Sequence, residues 1–313
     1  MQRRAFETAA ITGYGSRASW DAAAVEILAV MLERWELAPG AVFSGGYAAT
    51  VLAVTRSDGT PAVLKIGFPH AEGVPEAIAL EAWPAGTAPV VLRQDPWTWS
   101  MLLERIEPGV PLSAADTGVD AALQAAGKLL ARIAAAEPVF GIPSLRSVAQ
   151  AYAAAARQRF DAHRPNLDEF EATELVAAGL DELEKLAGTG IETSMVHGDF
   201  NPGNILQSAA GLVAVDPKAM IGDPAYDLWP LVSQLGSPAD RPDPQGTLAR
   251  QLAIAADAAG VDPVRAARWS FARSALNVSW YLDERQPRLA ARDAELLRAW
   301  AGVLAGIRTG TGI

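Results

Sequence analysis

The chain has 313 residues, 50% apolar and 20% charged, an ordinary globular composition with room for a large core. A formal net charge of −10 excludes a general nucleic-acid binder, which needs a basic face, and the absence of Cys excludes disulfides, thiolate nucleophiles and Cys-based metal sites. No apolar run could span a bilayer and Met1 to Trp20 lacks the apolar core of a signal peptide, so a cytoplasmic protein with neither membrane nor nucleic acid as partner is expected.

In chain order, the first helical pattern covers residues 21–35. Ser19 is placed to cap it, and Val25, Leu28, Leu32 and Trp35 form one apolar stripe. Pro39 and Gly40 end it. Two apolar strands, 41–43 and 50–55, flank a turn of Ser44, Gly45 and Gly46, and a second turn at 57–60 leads into a third strand, 62–66. Glycines in such a turn let backbone N–H groups approach phosphate oxygens, although ordinary hairpins use the same residues. Lys65 lies inside the third strand, where a charge must reach either solvent or an anionic partner.

Residues 76–83 read as a short helix stopped at Pro84. Its carboxylates Glu76 and Glu81 lie five apart and face different directions, so only one suits Lys65. Glu76 is preferred and Glu81 is the alternative. Two more strands, 88–93 and 98–104, surround Asp95-Pro96, and the chain then drops into a polar connector, Glu104 to Gly109. That shift in composition sets the expected boundary between a first unit, 1–106, and a second, 107–313. Beyond it the sequence is Ala-rich and helical, with patterns over 121–136, 148–160, 167–186, 225–234, 248–259, 263–282 and 289–307.

One stretch interrupts the helices. Apolar Met195-Val196 is followed by the polar loop His197-Gly198-Asp199-Phe200-Asn201-Pro202-Gly203-Asn204, apolar Ile205-Leu206, a turn at 209–211, apolar 212–215, and Asp216. Two short strands of this kind would gather Asp199, Asn204 and Asp216 around one point. They offer one proton acceptor and two oxygen donors suited to a hard divalent cation. His197 and Asp199 could instead serve a metal hydrolase, but the other His residues, His70 and His163, sit in no comparable motif. Turn chemistry alone accounts for any one of these residues and not for the set. Asp223 and Asp227, just before Leu228-Trp229-Pro230, suit a helix start or a brace for the loop.

The set Leu64-Lys65, Leu102-Leu103-Glu104-Arg105, His197-Gly198-Asp199 with Pro202-Gly203-Asn204-Ile205-Leu206, and Asp216-Pro217-Lys218 resembles the aminoglycoside phosphotransferase superfamily. Gly222-Asp223-Pro224-Ala225-Tyr226-Asp227-Leu228-Trp229, with Trp35-Glu36-Leu37, is similar to the aminoglycoside/hydroxyurea antibiotic resistance kinases, streptomycin 6-phosphotransferases included. The resemblance implies an α+β, bilobal protein-kinase-like fold, with a small antiparallel-sheet lobe and a larger, mostly helical lobe. It implies transfer of the ATP γ-phosphoryl group, with Mg2+, to a hydroxyl of a small molecule such as streptomycin; a sugar or hydroxyurea kinase and a non-catalytic nucleotide sensor are the alternatives. In that scheme Asp199 orients or deprotonates the acceptor, Asn204 and Asp216 bind magnesium, and Lys65, paired with Glu76, contacts the α/β-phosphates. Ser44, Gly45 and Gly46 cover the phosphates, backbone groups near Glu104 and Ile106 bond the adenine, and His197 braces the loop. Lys218 helps to neutralise the transferring group, or else forms a structural ion pair. It and Lys65 are two of only four Lys among 26 basic residues, both placed where phosphate chemistry wants a compact charge. Trp280, Asp283 and Glu284 read first as an ordinary helix end with a packed Trp, and as a meeting point for a cationic acceptor in the alternative.

Overall fold

The alternation of Ala62, Leu64 and Ile66 with Val63, Lys65 and Gly67 gives one strand two unlike faces. In the computed structural model, which describes residues 17–43, 49–189 and 192–309, that strand is the centre of the first sheet. Helix α1 (Arg17–Arg34) precedes β1 (Ala38–Phe43), β2 (Ala49–Thr55) and β3 (Pro61–Gly67). A 3-10 turn (Ala71–Gly73), helix α2 (Glu76–Ala82), β4 (Val91–Asp95) and β5 (Ser100–Glu104) follow. All pairings are antiparallel, in the order β1-β2-β3-β5-β4, and Lys65 stands opposite Val51 on one side and Met101 on the other.

Ala62, Leu64 and Ile66 are fully buried in a cluster with Trp20, Ala24, Met31 and Trp35 of α1 and the turn after it. The opposite face contributes Met101 and Leu103 to a second, larger cluster that also holds Ala79 and Leu80 of α2. Lys65 emerges on that second face. The helical stripe differs from the expected one. Helix α1 already begins at Arg17, so Ser19 lies within it, and Val25 is 68% exposed while Ala24 and Met31 are buried. Pro39 and Gly40 belong to β1, and the helix ends instead at a turn where Glu36 takes a φ of 54°.

Strand β6 (Pro108–Pro111) opens the second part of the chain, followed by helices α3 (Val119–Ala134), α4 (Leu145–Glu169) and α5 (Thr173–Gly188). Next come β7 (Ser194–Val196), β8 (Ile205–Ser208), β9 (Gly211–Ala214) and β10 (Met220–Gly222). β8 and β9 form the expected hairpin and add β6 as a third strand, whereas β7 pairs with β10, a strand the sequence did not announce. A 3-10 turn (Pro224–Asp227) leads to α6 (Leu228–Gln234), α7 (Pro244–Ala259), α8 (Pro263–Asp283) and α9 (Pro287–Thr309). Helix α4 runs past its expected end at residue 160 and through Pro165. Leu167 is the reason: it is buried with Leu145, Ala149, Ala153 and Ala156, so tertiary packing keeps the last turns helical until Glu171, at φ 51°, ends them. Among the described residues no helix is long and apolar enough to cross a membrane.

Helix α8 is buried nearly all round, including Trp269, Phe271, Ala272, Ala275 and Leu276. Small residues let its neighbours approach. A Cβ added to Gly179 of α5 would stand 2.3 Å from the Ala275 Cβ. Gly179→Val is therefore expected to cost about 1–3 kcal/mol or more in urea denaturation by overpacking. Gly188→Ala, where a Cβ meets nothing within 4 Å, should change stability by less than about 1 kcal/mol.

Candidate active site

The loop between β7 and β8 is shaped by its own side chains. Asn201 Oδ1 accepts from the N–H groups of Gly203 (2.9 Å) and Asn204 (3.2 Å), closing the Pro202-Gly203 turn. Its Nδ2 donates to Asp199 Oδ1 at 3.0 Å. Asn204 Nδ2 donates to the Asp199 carbonyl (3.0 Å), and the Val215 N–H donates to the Asn204 carbonyl (2.9 Å). These bonds tie Asp199, Asn204 and the residue before Asp216 into one unit. Gly198 has φ +81°, and a Cβ there would lie 2.1 Å from the Lys218 carbonyl oxygen, so only glycine lets the two chain segments pass.

Beneath the loop are His197 and Asp227. The His197 ring lies at 20° to the Trp83 plane with centroids 5.7 Å apart. Its Nδ1 accepts from the Asp199 N–H (3.2 Å), so the proton sits on Nε2, which donates to the Val215 carbonyl (3.0 Å). Burial lowers its pKa to about 4, and a neutral ring in both bonds is a brace and not a proton shuttle. Asp227 accepts from the N–H groups of His197 (2.6 Å) and Gly198 (2.8 Å), with its carboxyl pushed up to about 7 by burial. Asp223 caps the following turn through Ala225 N–H (3.0 Å) and accepts from Trp269 Nε1 (2.8 Å) and from Arg265. Asp227 therefore braces the loop, while Asp223 caps the turn after it and ties that turn to α8.

Lys65, 7% exposed, reaches across to this region. Its Nζ is 2.5 Å from Glu76 Oε1 and 2.7 Å from Asp216 Oδ1. Burial by itself would lower its pKa, but Asp216 and Glu76 outweigh burial and hold it above the ordinary lysine value. Glu76 is thus the partner, while Glu81 faces Gln94 at 3.5 Å. Asp216 takes φ +58°, unusual for a residue with a side chain, and this turns its carboxylate toward Lys65, whose charge lowers its pKa. Lys218 Nζ lies 3.3 Å from Glu72 Oε2 and 3.7 Å from Asp199 Oδ2, and it is held charged by those carboxylates and Asp216 against the effect of burial.

The remaining expected residues fall out differently. The Glu104 N–H donates to the Val90 carbonyl (2.9 Å) and its Oε2 accepts from the Val90 N–H (3.1 Å), which anchors the connector; Ile106 is half-buried within it. Ser44, Gly45 and Gly46 lie outside the described residues. Asp283 is not available to a cationic acceptor: it is tied to Arg159 (2.8 Å) and His163 (2.6 Å). Glu284 accepts from Gln286 (3.0 Å), and Trp280 packs edge-on against Tyr152, with centroids 5.2 Å apart. Glu72 and Tyr152, joined by a 2.5 Å hydrogen bond, were missed, since neither sits in a pattern that separates it from a surface carboxylate or a packed aromatic. A cavity of about 320 Å³, lined by Phe68, Ile78, Trp99 and Met101, opens beside Lys65 and Asp216. Among the described residues no group of three or more His, Cys, Asp and Glu is placed to hold a metal alone. The donors expected from the sequence, Asn204 and Asp216, would offer one amide oxygen and one carboxylate, a set that suits a magnesium ion taking its other ligands from phosphate and water.

A family model described as aminoglycoside/hydroxyurea antibiotic resistance kinase matches residues 34–285. The streptomycin 6-kinase of Streptomyces glaucescens is 30% identical over 291 residues, 91% of each chain. The hydroxyurea phosphotransferase of Kitasatospora aureofaciens is 31% identical over 285 residues, 88% of this chain and 79% of that one. Among solved structures, aminoglycoside phosphotransferase APH(4)-Ia in complex with AMP-PNP and hygromycin B superposes with a TM-score of 0.57 at 19% identity, over 88% of this chain and 98% of that one. Choline kinase LicA of Streptococcus pneumoniae also gives 0.57, at 16% identity, over 90% and 99%. These likenesses establish the protein-kinase-like fold.

The His197 assignment has a pH signature. Its folded pKa, about 4, is depressed below the ordinary 6.5, so its contribution is complete above 6.5 and disappears as pH falls through 4. Between those limits the wild-type chain should lose on the order of 3 kcal/mol more stability than His197→Gln, read from urea melts at a series of pH values.

Proposed function

The chain belongs to the aminoglycoside/hydroxyurea antibiotic resistance kinases and is a small-molecule phosphotransferase, and from that premise we propose that it moves the γ-phosphoryl group of ATP to a hydroxyl of streptomycin. Hydroxyurea is the second acceptor to consider, because the relative named for it is as similar as the one named for streptomycin. The observation that carries the reading is the joining of Lys65 and Glu76 to Asp216 in one ion-paired group, with the Asp199–Asn204 loop tied to the residue beside Asp216.

We place two lobes at 1–106 and 107–313, with the nucleotide between them. Lys65, kept in station by Glu76, takes the α/β-phosphates; the backbone near Glu104 and Ile106 takes the adenine, and Ser44, Gly45 and Gly46 cover the phosphates. The side-chain oxygens of Asn204 and Asp216 hold magnesium, which when bound neutralises phosphate charge. Asn204 Nδ2 is already engaged by the Asp199 carbonyl, which leaves Oδ1 for this duty. Asp199 acts on the acceptor. Its Oδ1 is occupied by Asn201, so Oδ2 receives the acceptor hydroxyl, orients it and takes its proton as the new O–P bond forms. The bond from the γ-phosphorus to the bridging oxygen breaks, and ADP leaves with that electron pair. Lys218, beside Asp199, supplies positive charge where the phosphoryl group passes.

ADP release should therefore depend on acceptor when streptomycin, hydroxyurea and choline are compared, with streptomycin giving the highest kcat/KM. Asp199→Asn should lower kcat by roughly 10²–10⁴-fold and leave Mg-ATP affinity nearly intact. Asp216→Ala should weaken Mg-ATP binding itself. Near-normal turnover in Asp199→Asn would remove Asp199 from its role.

A further inference from the structure

Lys218 stands between two carboxylates and lies nearer to one of them. Its Nζ is 3.3 Å from Glu72 Oε2, whereas Asp199 Oδ2 is 3.7 Å away, outside hydrogen-bond reach. An ammonium facing a carboxylate in a buried site ordinarily closes to about 2.8 Å. Something therefore holds Lys218 back from Asp199.

Glu72 is fixed where it can do this. It lies on the 3-10 turn before α2, and its Oε1 accepts from the Tyr152 hydroxyl of α4 at 2.5 Å. The Tyr152 ring is set at 88° against Trp280 of α8, so the carboxylate is clamped from the helical side. Oε2 is buried with Lys218 as its ion-pair partner and without a well-aligned hydrogen bond, which leaves the attraction electrostatic. On Asp199, Oδ1 is already taken by Asn201. Oδ2 is the oxygen that a collapse of Lys218 would block.

We infer that Glu72 is a positioning residue that draws Lys218 off Asp199 and keeps Asp199 Oδ2 open to the acceptor hydroxyl. The inference rests on reading Asp199 as the proton acceptor. Glu72 touches neither nucleotide nor acceptor in this scheme. It acts through Lys218, and its removal lets the ammonium fall onto the remaining carboxylate.

The test is a double-mutant cycle of Glu72→Gln and Lys218→Met, read as ADP release with streptomycin, or with water alone as acceptor where streptomycin is not turned over. Glu72→Gln should lower kcat about tenfold or more while KM for Mg-ATP stays within about twofold. In the Lys218→Met background the same change should have no further effect beyond about twofold. A crystal structure of Glu72→Gln should show Lys218 Nζ within hydrogen-bond reach of Asp199 Oδ2. A residue that only packs would give additive losses and leave Lys218 in place. That result, or a Glu72→Gln kcat within about twofold of wild type, overturns the inference. If Glu72→Gln does not fold, Tyr152→Phe, which keeps the ring and frees Oε1, decides in the same way: reduced kcat at unchanged KM for Mg-ATP supports it, and unchanged kcat ends it. A normal Glu72→Gln beside an inactive Asp199→Asn sinks this inference alone. An active Asp199→Asn sinks the reading beneath it as well.

Discussion

A lysine ammonium buried on the inner face of a five-stranded sheet must have anionic partners, and Lys65 has two. One, Glu76, comes from the helix that follows its own strand. The other, Asp216, lies 151 residues away at the end of a different hairpin. Each carboxylate makes its own charge-assisted bond to the ammonium, so removing either loses one of two. Much of the site follows from satisfying this one group. The sheet has to present Lys65 inward, α2 has to start with Glu76, and the chain two residues past β9 has to bend into an unfavourable φ at Asp216 so that its carboxylate points the right way.

The same logic extends outward in alternating charge. Glu76, Lys65 and Asp216 form one ion-paired group and Glu72, Lys218 and Asp199 a second, with contacts between 2.5 and 3.7 Å inside each, and the charges of Asp216 and Lys218 couple the two. Such a cluster does not welcome a bare polyphosphate, whose charge matches its own excess. On the proposed reading a divalent cation would accompany it, held by the oxygens of Asn204 and Asp216, which are hard donors. Nucleotide and metal would then be two aspects of one charge balance.

Much of this was readable from residue order because it is local. Lys65 is flagged by an apolar strand that tolerates no stray charge, Glu76 is separated from Glu81 by helical geometry, and Asp199 and Asn204 belong to a turn whose Asx chemistry is written in its own residues. What could not be read depends on contacts across the fold. Glu72 and Tyr152 are 80 residues apart and meet only because a 3-10 turn is laid over a helix. That Asp283 serves the helix end and not a cation is decided by Arg159 and His163, more than 100 residues earlier, which close on it. On α1 and the turn after it Leu28, Leu32 and Trp35 pack on the sheet as expected, and only Val25 was misjudged, because Ala24 carries little hydrophobic signal beside it.

The residues read as transfer machinery are, in addition, complete without an acceptor. Asp199 is fixed by Asn201, Asn204 by the Asp199 and Val215 backbones, and the loop by Asp227 from below. Lys218 is held by Glu72, and Glu72 by Tyr152. Apart from Glu72 Oε2, which has an ion pair but no hydrogen bond, these groups are held from within the chain, and preorganisation of that kind places few demands on what delivers the hydroxyl. Two relatives near 30% identity carry names as unlike as streptomycin and hydroxyurea. In this chain the charged groups are held by one another and by the backbone, so they do not by themselves select between two such acceptors.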